Sequence, residues 1–312
     1  MGVDRRDWKL LAVPSVAASE WVTELFPGRS PAELPIAGRR IIDYGIEHAV
    51  QSGLHDIEIL DHHWLGNLAA EFADPETKRY DVKYSRADGP PPKGLDDLES
   101  VFEHGYPDGL CVAWGLCLSG HALGEMSIKP LEEPLCADTP AGIYQWRHGR
   151  WNAVYPHGVA VTDVKSWHRV NLAVLHDPVI FTLPGYSAEK GVHLGRNVVL
   201  EHGTEVKPPV ILQDDTWCGR LVQLDGDVIV GRGSFVAEGA HLRRTVIGND
   251  TYIGTGLVLE DKIVIGHRII DAKSGEWTDV EDPGIARSIG DGFGFLGAIW
   301  KFLVGASHRG RN

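Results

Sequence analysis

The chain has 312 residues, 43% hydrophobic and 23% charged, enough for one large or two ordinary soluble domains. Its formal net charge of −13 excludes nucleic acid as the main partner, because a phosphate backbone repels an acidic surface; an anionic small molecule needs only a local cationic pocket. No stretch reaches the ~18 apolar residues of a membrane-spanning helix, and the apolar run in Met1–Pro14 is too short for a secretory signal.

Four cysteines, Cys111, Cys117, Cys136 and Cys218, form no C-x-x-C pair. They read as core thiols in a reducing, cytoplasmic compartment.

In chain order, Lys9–Pro14 predicts a buried first strand. Gly38–Ser52 predicts a helix, with Ile41, Ile42, Ile46 and Ala49 on its apolar face and Gly53 ending it. Asp56–Leu60 predicts a strand, Trp64–Ala73 a helix and Tyr80–Tyr84 a third strand. A loop at Asp88–Gly94, a helix over Leu95–Phe102 and a buried strand over Leu110–Leu118 follow. Strands alternating with helices imply a parallel, Rossmann-like α/β sheet.

The pattern changes at Leu194. At steps of six come Leu194, Leu200, Val206, Leu212, Cys218, Leu224, Val230, Val236 and Leu242; after a one-residue slip the series resumes at Ile247, Ile253, Leu259 and Ile265. Four residues after each of the first eight lies a small or β-branched residue: Val198, Thr204, Val210, Thr216, Val222, Val228, Ser234 and Ala240. One large aliphatic per six residues is what a triangular solenoid with three flat strands per coil requires, and the second inward position, near a corner, admits only small or β-branched side chains. Glycine often follows the aliphatic (Gly195, Gly219, Gly231, Gly248, Gly254, Gly266), where a sharp bend is expected. The segment predicts a left-handed parallel β-helix of about four coils sharing one continuous core.

The tail, Asp291–Asn312, carries Phe295, Leu296, Ile299, Trp300, Phe302 and Leu303, an apolar helix of about 12 residues. At ~18 Å it does not span a ~30 Å bilayer core. It is expected to pack on the β-helix or a neighbouring subunit; the alternative is an interfacial anchor that brings the chain to a membrane-associated polysaccharide enzyme. The expected organisation is an α/β domain at 1–178, a β-helix at 186–280 and a terminal helix at 285–306.

Several segments resemble the sugar-1-phosphate nucleotidyltransferases. Leu34–Ile42 (LPIAGRRII), a helix and Gly53–Leu60 (GLHDIEIL) are similar to that family's L-P-V-A-G-K-P-L-I segment, helix and following strand. Ala141–Tyr144 (AGIY) resembles its N-A-G-I-Y strand, and Val161–Leu175 its D-I-G-T-P-E-D-Y-x-x-A-N segment. Val264–Glu276 resembles the tail of members that end in a β-helix, and the repeats resemble the hexapeptide-repeat proteins, many of them trimers. The resemblance implies a reaction of a nucleoside triphosphate with a sugar 1-phosphate, giving an NDP-sugar and pyrophosphate. It places the chain in NDP-sugar supply for surface polysaccharide, with a sugar nucleotide or sugar phosphate as ligand and homo-oligomers, trimers first, as the assembly.

The family's chemistry uses a glycine-rich loop after the first strand, a Lys before L-P-V-A-G and two aspartates that hold Mg²⁺. Here Ser15–Pro27 contains no glycine, Pro31 stands at the Lys position and Leu116 at the first aspartate; Asp163 alone matches the second. Catalysis is therefore expected to be impaired, and Mg²⁺ to matter only if activity persists. Arg29, Arg39, Gly142 and Asp163 are the candidate nucleotide or sugar-phosphate contacts, with Asp163 as the candidate metal ligand; its alternative is a helix N-cap. An active NDP-sugar pyrophosphorylase, an oligomeric scaffold and a hexapeptide-repeat acyltransferase are the alternatives. The last would use His193, His202 or His241 as general base.

Overall fold

The computed structural model describes residues 8–16, 19–63, 66–74, 81–102, 105–107, 109–118, 127–130, 139–155, 159–177 and 181–289. The chain divides into two compact units, Met1–Thr182 and Leu183–Asn312. Together they are a mixed α/β protein with many parallel strands. Among the described residues no helix is long and apolar enough to cross a membrane.

The elements of the first unit, in order, are β1 (Lys9–Val13), α1 (Glu20–Leu25), β2 (Pro35–Ile36), β3 (Arg39–Arg40), α2 (Ile41–Gln51), β4 (Asp56–Asp61), α3 (Gly66–Ala73) and β5 (Val82–Arg86). They continue with β6 (Leu110–Trp114), β7 (Cys117–Leu118), β8 (Ser127–Pro130), β9 (Gly142–Arg147), β10 (Arg150–Tyr155), β11 (Val159–Ala160) and α4 (Val164–His176). Leu95–Val101 is a 3₁₀ helix.

One seven-stranded sheet has the order β5-β4-β1-β6-β9-β10-β8. Its first four strands are parallel, and β9, β10 and β8 each run antiparallel to their neighbour. The expected all-parallel sheet is thus corrected to a mixed one. Between β9 and β10, His148 (φ 54°) and Gly149 (φ 72°) both take left-handed conformations, the two-residue turn whose twist matches a hairpin.

The sheet buries both faces. Leu10, Ala12, Ile57 and Ile59 pack with Ile42, Ile46 and Ala49 of α2 on one side. On the other, Leu11, Val13, Val112 and Trp114 pack with Leu95 and Leu98. The second helix starts at Ile41, not Gly38, because β2 and β3 pair as a tight hairpin around Ala37 (φ 46°) and Gly38 (φ 87°). It ends as expected: Gly53 (φ 82°) donates its N–H to the Val50 carbonyl and Leu54 to that of Ala49. The expected long strand Leu110–Leu118 stops at Trp114, where Gly115 (φ 66°) turns the chain toward β7 and donates its N–H to the Val13 carbonyl.

In the second unit the chain visits three sheets in rotation. Val192–Leu194, Val210–Leu212, Val228–Val230, Thr245–Ile247 and Lys262–Ile265 lie side by side in one sheet. Val199–Leu200, Trp217–Cys218, Phe235–Val236 and Thr251–Ile253 form the second, and Glu205–Lys207, Gln223–Asp225, His241–Arg243 and Val258–Glu260 the third. These pairings are parallel, with Val192 opposite Val210 and Val210 opposite Val228, one circuit per eighteen residues. The inward aliphatics Leu212, Leu224, Val230, Val236 and Leu242 form one buried core. The smaller inward residues follow the expected series: Thr216 and Ser234 are buried, and their hydroxyls donate to the Gly231 and Gly248 carbonyls of the next circuit.

Two details differ from expectation. The slip after Leu242 is present, since Val228 faces Thr245, but a second slip follows: Ile247 pairs with Val264, which is fully buried, while Ile265 is only partly covered. The cause is the corner. Where the preceding circuit turns through two left-handed residues, Gly226 and Asp227, the next two turn through one each, Arg244 and then Asp261. Second, of the glycines after the aliphatics only Gly266 (φ 58°) is left-handed; Gly195, Gly219, Gly231, Gly248 and Gly254 do not serve a left-handed bend. At Gly231 a Cβ would lie 2.5 Å from the Gly248 carbonyl carbon, and at Gly219 3.0 Å from the Glu238 nitrogen. Close stacking of successive circuits excludes a side chain there. The left-handed residues come two positions later, at Asn197, Leu221, Gly233 and Asp250.

Ala286–Ser288, the start of the expected terminal-helix segment, is instead a strand antiparallel to Thr251–Ile253. The apolar tail from Asp291 onward and Cys136 lie outside the described residues.

Candidate functional site

Open α/β sheets take ligands beyond the carboxyl ends of their parallel strands. Here that edge is formed by Ser15 after β1, Asp61 ending β4, Tyr84 in β5 and Leu116 after β6. Its centre is Asp61, which is fully buried. The Ser15 and Ser30 hydroxyls donate to its two carboxyl oxygens. The His63 N–H donates at 2.9 Å and the Tyr84 hydroxyl at 2.8 Å. Four donors from four segments thus converge on an internal acceptor. Ser30 is held by its own turn, accepting from the Ala32 N–H at 3.1 Å as the N-cap of Pro31–Glu33. Pro31, which stands where the resembled sequences carry Lys, is buried at the first position of that turn.

Beside Asp61 are His62 and His63, each with a buried Nδ1 that has no hydrogen-bond partner. Burial lowers the His62 pKa, partly offset by the neighbouring Asp61. Three residues earlier on β4, Glu58 is buried and accepts from Lys9 (2.6 Å), Ser85 (2.6 Å) and Lys83 (2.9 Å). Burial pushes its carboxyl pKa up, but these bonds outweigh it and bring the pKa down to about 2.

At the other end of the edge, Leu116 is 2% exposed, with its carbonyl accepting from the Val161 N–H at 2.8 Å. It lines an apolar cleft between the sheet and α2, with Ala12, Ile42, Ile46, Ile57 and Ala113 among the other walls. Cys117 also borders it; burial pushes its thiol up to about 12, so it stays protonated and unreactive at neutral pH.

The four candidate phosphate contacts are placed as follows. Arg29 is exposed. Arg39 pairs with Glu47 at 2.8 Å, donates to the Thr182 carbonyl at 2.9 Å and lies over the Tyr44 ring. Gly142 is buried in β9, paired with Trp114. Asp163 is the N-cap of α4: its Oδ1 accepts from the Ser166 N–H at 2.7 Å, and the Ser166 hydroxyl oxygen accepts from the Asp163 N–H at 2.9 Å. Burial raises the Asp163 pKa, but the Ser166 hydrogen bonds, with Lys165 and Arg169 nearby, outweigh it and leave it below the usual carboxylate value. No hydrogen bond or ion pair joins any two of the four.

A resident Mg²⁺ does not fit this edge. It would need two carboxylates; one position is a buried leucine and the other carboxylate caps a helix. Among the described residues no group of three or more His, Cys, Asp or Glu is arranged to hold a metal ion.

The structure does join motif segments far apart in the chain. The Ala37 N–H donates to Asn171 Oδ1 at 2.7 Å, and the Trp167 indole N–H to the Pro35 carbonyl at 2.7 Å. Asn171 in turn donates to the Trp167 carbonyl at 2.9 Å, so α4 clamps the LPIAG hairpin.

Of the three candidate histidines in the second unit, His202 is exposed. His193 is half-buried, its Nδ1 unpartnered, and burial lowers its pKa. His241 Nε2 lies 3.0 Å from Asp225 Oδ2, and the same carboxylate accepts from Lys207 at 2.7 Å. Sequence reasoning missed Asp61, Ser15, Ser30 and Tyr84; the available signal was an acid closing an apolar strand, followed by two histidines. The sequence matches no protein-family model and no curated protein.

Proposed function

We propose that this chain is a sugar-nucleotidyltransferase-like protein in NDP-sugar supply for surface polysaccharide. On this reading it does not perform metal-assisted nucleotidyl transfer and acts as a binding or regulatory subunit. The observation that carries the reading is Leu116, buried in an apolar cleft where the resemblance requires a metal carboxylate, while Asp163 is engaged as a cap. The convergence of Ser15, Ser30, His63 and Tyr84 on Asp61 supports it, because these donors at the strand ends already have an internal acceptor. The clamp between the LPIAG hairpin and α4 supports the resemblance itself.

The same reading makes the second unit a left-handed parallel β-helix of hexapeptide repeats that assembles copies of the chain, as trimers, in the cytoplasm. The rotation through three sheets at eighteen residues per circuit supports the β-helix. The apolar tail then serves peripheral docking to a membrane-associated polysaccharide enzyme.

Calorimetry with NDP-sugars, with and without Mg²⁺, tests the binding role. Stabilisation by an NDP-sugar, independent of Mg²⁺ and about 2.7 kcal/mol at 100 times its Kd, is the expected result. No binding of any NDP-sugar would refute it and leave a scaffold.

A second reading has one observation in its favour. The Asp225 carboxylate orients His241, the arrangement a general base for acyl transfer requires. Acyl transfer from acyl-coenzyme A that disappears in His241→Ala would favour it; no transfer would remove it.

A further inference from the structure

The apolar cleft beneath α2 has a feature that core packing does not account for. Gly45 lies in the middle of an eleven-residue helix, where glycine costs roughly 1 kcal/mol relative to alanine. Its φ is not left-handed, and a Cβ built on it would meet nothing within 4 Å. Neither backbone geometry nor crowding demands the glycine. It lines the cleft, and Ala12 and Ala113 face the same space from the sheet. The free room is about 50 Å³. Interiors are normally filled to crystal density, so a helix glycine and two alanines around an open volume amount to space left unfilled.

We propose that this cleft is a binding pocket for the short alkyl end, two to four carbons, of a small molecule. The chemistry of the walls selects the class. They carry no charged side chain; His48 and Cys117 are the only polar ones. The size selects the length: a cavity of about 150 Å³ holds a benzene ring, and one third of that holds roughly two to four carbons and no ring. The walls extend to Pro14, Gly115 and Leu116 at the carboxyl ends of β1 and β6, so the polar remainder of the ligand lies at the edge where α/β sheets take ligands. The pocket does not depend on whether an NDP-sugar binds the same unit.

Saturation-transfer NMR on the full chain with 1-alkanols from ethanol to hexanol tests the assignment. Apparent affinity should rise about fourfold per methylene up to butanol and then level off. Gly45→Val, which fills the space from the helix, should weaken butanol binding at least tenfold, and Ala113→Val should do so from the sheet. Circular dichroism identifies which variants keep the fold; if one fails, the other is read, and Gly45→Ala gives a third, milder filling. Absence of saturable transfer would overturn the proposal. So would an affinity that keeps climbing through hexanol and is unchanged in a folded filling variant.

Discussion

The two units place their polar groups in opposite ways. In the first, donors from distant segments converge on single buried acids, Asp61 and Glu58. In the second, ion pairs recur circuit after circuit on the outside, as in Arg196–Asp214, Lys207–Asp225 and Arg243–Glu260. A convergent node concentrates risk: removing one acceptor strands several buried donors. A repeated exterior spreads it: each pair is bathed in water and has a neighbour of the same kind.

The largest expected difference follows from Asp61. Asp61→Ala should destabilise the first unit by on the order of 4 kcal/mol, since its buried donors lose their acceptor at once. Urea denaturation followed by tryptophan fluorescence reads this; a loss under 1 kcal/mol would mean the node is dispensable.

Glu58 gives the next effect, as a pH dependence. Its folded pKa of about 2 lies below the ordinary value of 4.5. The stability it contributes is therefore present above pH 4.5 and is lost as pH falls from there through 2. The loss should be about 2 kcal/mol, discounted because Lys83 is largely exposed. In Glu58→Gln that part of the acid limb should flatten.

The third prediction concerns close stacking in the second unit. Gly231→Ala should cost about 1.5 kcal/mol, because the added methyl meets the next circuit's backbone. A neutral result in thermal unfolding would break the account of these glycines. The smallest effect belongs to the exterior. Lys207→Ala, removing a partner of Asp225 that is itself 65% exposed, should change stability by less than about 0.5 kcal/mol and be insensitive to position along the stack.

The two units also differ in how much of them is legible in the sequence. A strict period exposes the inward positions Leu212 to Leu242 directly, because each face admits one large aliphatic. The second slip was illegible since Val264 and Ile265 are both aliphatic, and only the single-residue corner at Asp261 decides which points in. In the first unit the hydrophobic runs mark β1, β4 and β6. The antiparallel turn of the sheet depends on His148–Gly149, a weaker hairpin signal than Asn-Gly. The candidate edge was legible only where it departs from the resembled family, at Pro31 and Leu116. Asp61 was hidden because its partners, Ser15, Ser30 and Tyr84, are common residues brought together only by the fold.

The most direct test of the central claim is pyrophosphate release from the full chain given each nucleoside triphosphate, a panel of sugar 1-phosphates and Mg²⁺. With Leu116 in place of a metal carboxylate and Asp163 engaged at its helix cap, no release above the protein-free background is predicted. Release that depends on Mg²⁺ and vanishes in Asp163→Asn would contradict the account and make this chain a working nucleotidyltransferase.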